Sequence, residues 1–104
     1  MTMTIETVAA KQKINILIVD DHPFIIQGYK NAITRYNPNE YEFVISEAKD
    51  CKSAFELITN LDNLVFDIAF LDISMPSYED KELYSGEDLA KLVLQYMPDC
   101  KIVM

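Results

Sequence analysis

The chain has 104 residues, half hydrophobic and a quarter charged, the balance of one modest globular domain rather than of two or of a disordered polymer. Its formal net charge of -8 argues against this segment gripping nucleic acid or an anionic membrane surface. No apolar run is long enough to span a bilayer. Such a charge suits a protein that concentrates carboxylates around a cation.

Residues 1–13 are polar and unpatterned and lack the basic-then-apolar order of a signal peptide, so a short disordered leader is expected before a domain over 14–104. Ile14 to Val19 is a nearly continuous β-branched run, the pattern of a strand buried on both faces of a parallel sheet. It ends in Asp20-Asp21-His22-Pro23. From Phe24 the apolar spacing turns helical, through Ile25, Gly28, Tyr29, Ala32, Ile33 and Tyr36, and Asn37-Pro38-Asn39 breaks it.

Tyr41 to Ser46 predicts a second strand. Ser53 with Glu56 three residues on forms a capping-box pattern opening a helix that would bury Ala54, Phe55, Leu57, Ile58 and Leu61. Ile68 to Leu71 predicts a third strand, ending in Asp72. A polar loop follows from Pro76 to Tyr84. Ser85 is the expected cap of a last helix burying Leu89, Ala90, Val93, Leu94 and Met97, stopped by Pro98-Asp99. Lys101 to Met104 starts a fourth strand. The alternation predicts an α/β fold, a flavodoxin-like doubly wound parallel sheet.

In such sheets ligands bind beyond the carboxyl ends of the strands, where strand order reverses. Asp20-Asp21 and Asp72 both sit at strand ends. If the two strands are neighbours, three carboxylates converge, and like charges that close need a proton or a cation between them. Hard oxygen donors without sulfur favour Mg²⁺. A carboxylate beside that ion can attack a phosphoryl group and become an aspartyl phosphate.

The stretches ILIVDDHPFIIQGYKNAI and FDIAFLDISMP, at this separation, resemble the receiver domain of bacterial two-component response regulators. The DDHP form and the SGEDLA segment resemble the LuxR/NarL-like class. The resemblance implies that Asp72 accepts a phosphoryl group from a sensor histidine kinase. It implies that Asp21 and Asp72 ligate Mg²⁺ directly, that Asp20 does so largely through water, and that Ser74 offers its backbone carbonyl. A small residue at Ser74 would also face the phosphoryl group and influence its hydrolysis. The chain would be a cytoplasmic signalling switch rather than an enzyme, regulating transcription through a DNA-binding output domain not contained in this sequence.

Two departures from the family pattern stand out. The family places Thr or Ser at the end of strand four and Lys at the end of strand five, and the sequence stops at Met104, ahead of both. The loop between Pro76 and Gly86 is longer than usual. A receiver lacking the fifth strand and last helix would leave strand four as an open edge and would be expected to form a homo-oligomer through uncovered apolar surface.

Simpler readings compete at several positions. Asp20 and Asp21 could cap the helix at Pro23. Asp72 could be a turn residue. His22, the only histidine, is expected to hydrogen-bond locally rather than to catalyse. Tyr29, Tyr36, Phe55 and Phe70 are read as core. Glu79, Asp80 and Glu82 are read as a solvated acidic loop, and Cys51 and Cys100 as reduced thiols. Two rival functions remain: a pseudo-receiver that is never phosphorylated, and a haloacid-dehalogenase-like phosphatase. The latter wants a second Asp where Ser74 stands.

Overall fold

A computed structural model describes residues 12–36, 41–60 and 65–104. The expected leader and the breaker at Asn37-Pro38-Asn39 lie largely or wholly outside the described residues, as does Leu61. The first strand, β1 (Gln12–Val19), begins two residues before the expected Ile14. It is followed by α1 (Pro23–Arg35), β2 (Tyr41–Ala48), α2 (Cys51–Thr59), β3 (Ile68–Leu71), α3 (Gly86–Tyr96) and β4 (Lys101–Val103).

The four strands form one parallel sheet in the order β2-β1-β3-β4, the expected flavodoxin-like arrangement. Strand alternation divides its side chains between two faces. Leu17 and Val19 of β1 and Ala69 and Leu71 of β3 join the larger core, which α2 closes with Ala54 and Ile58 and α3 with Leu89 and Val93. Ile16 and Ile18 point the other way and meet Ile26 of α1, with Ile33, Phe43, Ile68 and Phe70 packed around them.

Burial of the helices is narrower than the sequence suggests. Ile26 is the single buried residue of α1, and Tyr36 is 69% exposed, so it is not core. Tyr29 stays at the surface while its ring rests on Phe70, centroids 4.7 Å apart. Phe55 and Phe70 are only partly buried. In α3 the inward stripe is Leu89 and Val93, and Leu94 lies one helical step beyond it, exposed.

The capping-box reading of α2 is also corrected. The N-cap is Asp50, whose carboxylate accepts from the Ser53 amide at 2.8 Å and the Ser53 hydroxyl at 2.7 Å. Ser53 therefore occupies the third helical position and serves the cap instead of being it. At Ser85 the position is the expected N-cap but its side chain makes no cap bond. Asp88 reaches back instead and accepts from the Tyr84 amide at 2.9 Å.

The segment Pro76 to Tyr84 is structured. Tyr78 and Leu83 exchange backbone hydrogen bonds of 2.7 and 3.1 Å around a single 3₁₀ turn, Glu79–Lys81. Leu83 and Met75 are buried at its two ends. The Pro76 carbonyl accepts from Cys51 at the start of α2, and Tyr78 meets Phe55 edge-on. Glu79, Asp80 and Glu82 remain exposed, as expected of a solvated acidic loop.

Candidate acceptor site

Val19 and Leu71 are paired across β1 and β3, so the residues that follow them, Asp20 and Asp72, leave the sheet at the same level. Backbone bonds hold both exits: the Asp72 amide donates to Val19 at 2.9 Å and the Asp20 amide to Ala48 at 3.0 Å. The geometry thus brings Asp20, Asp21 and Asp72 to one point, with His22 beside them. One ligand atom from each of the four lies within 4.8 Å of the others.

Asp20 is buried, the one buried charged side chain among the described residues. Its Oδ1 accepts from the His22 amide and lies 2.8 Å from the ring Nδ1. The same Nδ1 stands 2.9 Å from Asp21 and 3.9 Å from Asp72. The hydrogen bond to Asp20, followed by the charge of Asp21, raises the His22 pKa above its ordinary value. The helix-cap reading of the pair loses its ground here. The N-cap of α1 is His22, and no side chain makes the cap bond.

Ser74 follows two residues after Asp72, its amide donating to Asp72 Oδ1 at 3.4 Å, which folds the strand exit over the carboxylate. Three carboxylates with one imidazole beside them make a donor set that fits a hard divalent cation. Beside this point a small pocket of about 150 Å³ opens, lined by Asp20 and Asp72 with Tyr29, Phe70 and Met104.

The Asp20–His22 contact is the local hydrogen bond expected of His22. One feature escaped sequence reading: Gly86, at the head of α3, comes so near the strand exit that a Cβ there would run into the Asp72 carbonyl. The only hint was its place in the SGEDLA segment. Cys51 and Cys100 are free and buried, and burial pushes both thiols up, as inert reduced cysteines should behave.

Residues 16–104 match the response regulator receiver domain. The chain belongs to that family. Among its relatives are the transcriptional regulatory proteins DegU of Brevibacillus brevis and RcsB of Salmonella typhimurium, in keeping with the LuxR/NarL-like class. DegU is 28% identical over 95 residues, covering 90% of this chain and 35% of DegU. RcsB is 29% identical over 92 residues, covering 86% of this chain and 38% of RcsB. The receiver thus spans little more than a third of either relative. A solved complex of the histidine kinase ThkA with the response regulator TrrA contains a similar chain, with TM-score 0.59 and 27% identity, covering 86% of this chain and 65% of that one.

Proposed function

We propose that Asp72 accepts a phosphoryl group from the phosphohistidine of a partner sensor kinase, making this receiver the switch of a two-component pathway. The observation that carries the reading is the convergence of Asp20, Asp21 and Asp72 within 4.8 Å at the ends of two adjacent strands. One carboxylate oxygen of Asp72 attacks phosphorus, the phosphorus–nitrogen bond of the donor histidine breaks, and the histidine nitrogen leaves. Asp20, Asp21 and Asp72, with the backbone carbonyl of Ser74, would hold the cation. Mg²⁺, when bound, would neutralise the charge of the transferring group.

The reaction consumes its acceptor, which makes the chain a substrate of the kinase rather than a turnover enzyme. The similarity to a regulator found in complex with a histidine kinase supports the partner class. Similarity to transcriptional regulators supports an output in transcription, delivered by a region outside this receiver. The net charge of -8 supports leaving DNA contact to that region. A cytoplasmic site of action fits the same reading, and among the described residues no helix is long and apolar enough to cross a membrane.

Self-association belongs to the proposal as well. An apolar groove of about 410 Å³ runs between α1 and the sheet, lined by Ile16, Tyr29, Ile33, Phe43, Ile68 and Phe70. Open apolar surface of this kind usually finds a partner.

Incubation with acetyl phosphate and Mg²⁺, read by intact mass, tests the core of the reading. One added phosphoryl group is expected on the wild type and none on Asp72→Asn. An unmodified wild-type chain would favour the pseudo-receiver.

A further inference from the structure

The molecule contains two glycines, Gly28 and Gly86, and their surroundings differ sharply. Around Gly28, on the exposed side of α1, a Cβ would meet nothing within 4 Å. At Gly86 it would drive into the Asp72 carbonyl oxygen, with the Asp72 carbonyl carbon at 2.9 Å and the Ile73 Cα at 3.1 Å. All three obstacles are backbone atoms, which no rotamer change can clear.

Neither side of this contact is free to retreat. The Gly86 amide donates to the Ile73 carbonyl at 3.0 Å, and the Asp72 amide is tied to Val19. Leu89 and Val93 anchor α3 in the main core. Leu83 and Met75 are buried on either side of the intervening loop, which the Tyr78–Leu83 pairing closes. The head of α3 is therefore a stop against which the peptide of Asp72 rests.

We infer that Gly86 is a positioning residue for Asp72: its missing side chain lets α3 seat against the strand exit and fixes the acceptor carboxylate relative to Asp20 and Asp21. Because those two partners hang from β1 while Asp72 hangs from β3, a shift of the Asp72 peptide alone changes the spacing of the set. Misplacing a reacting group by about 1 Å can cost on the order of a hundredfold in rate. The inference rests on Asp72 being the acceptor.

The test compares wild type, Gly86→Ala and Gly28→Ala at equal folded concentration, established by circular dichroism. Acetyl phosphate labelling is followed at saturating Mg²⁺, and the Mg²⁺ dissociation constant is measured separately. Gly86→Ala should lose roughly ten- to a hundredfold in labelling rate and weaken in Mg²⁺ affinity, with Gly28→Ala matching wild type. A merely structural glycine would lower the melting temperature and leave the rate of the folded fraction unchanged, and that result overturns the inference. Should Gly86→Ala fail to fold, a wild-type ¹H–¹⁵N titration with Mg²⁺ decides. The Gly86 amide should shift with the same midpoint as Asp72, and an unmoved Gly86 signal counts against it. If the wild type takes no phosphoryl group at all, it is the acceptor assignment that fails instead.

Discussion

Asp21 shows how much one side chain can carry. It is an exposed carboxylate, yet it stands with Asp20 and Asp72 around a single point, with His22 beside them. A cation that binds this native arrangement and not the unfolded chain stabilises by mass action, by about 2.7 kcal/mol at a hundredfold excess over its Kd. Millimolar Mg²⁺ should therefore raise the melting temperature, and Asp21→Asn should remove most of that rise. A melt indifferent to Mg²⁺ would contradict the metal site. At this scale the sequence was informative. Acidic pairs at strand ends are visible as residues, and neighbouring parallel strands place them together. Gly86 was hidden because its role depends on how closely a helix approaches a strand exit, and no periodicity encodes that distance.

Among the elements, α2 offers the clearest energetic test. Asp50 caps it through the Ser53 amide and hydroxyl, and these two hydrogen bonds, with the backbone one foremost, hold its carboxyl below the ordinary value. Asp50→Ala should cost about 1 kcal/mol in chemical denaturation. A carboxyl whose folded pKa is lowered contributes its stability above the unfolded value, and loses it as pH falls through the folded one. The difference between wild type and Asp50→Ala should accordingly be full near neutrality and shrink below about pH 4. A difference that held constant into acid would show that the cap acts through something other than its charge. Sequence reading found the helix but opened it too late, at the wrong cap. Ser53 with Glu56 satisfies the capping-box pattern, while Asp50, three residues earlier, offers a stronger charged acceptor. The exposure of Tyr36 and Leu94 has a comparable cause. Helical spacing identifies an apolar stripe but not how wide a stripe the opposing sheet will cover.

At the scale of the whole molecule the two faces of the sheet are unequal. One is closed by α2 and α3 over a continuous core. On the other, α1 leaves the groove between Ile33, Phe43 and Phe70 open. Sedimentation velocity should show concentration-dependent association of this chain. Ala32→Glu, which places a carboxylate in the groove from an exposed position of α1, should weaken that association by at least about tenfold without unfolding the core. A monodisperse monomer across the concentration range would remove self-association from the account. The alternation of strands and helices was legible because buried parallel strands and amphipathic helices have distinct periods, while the order of the strands came from the structure. The groove on the open face needed the packing of Tyr29 on Phe70 to be seen.

The proposed switch turns on one atom set, the carboxylate of Asp72. After acetyl phosphate labelling, borohydride reduction and peptide mass mapping locate the modified residue, since an aspartyl phosphate is reduced to homoserine. Homoserine at position 72 alone, with the unreduced label lost to hydroxylamine, is the expected result. A label retained on Ser74 or His22, or one stable to hydroxylamine, would contradict it.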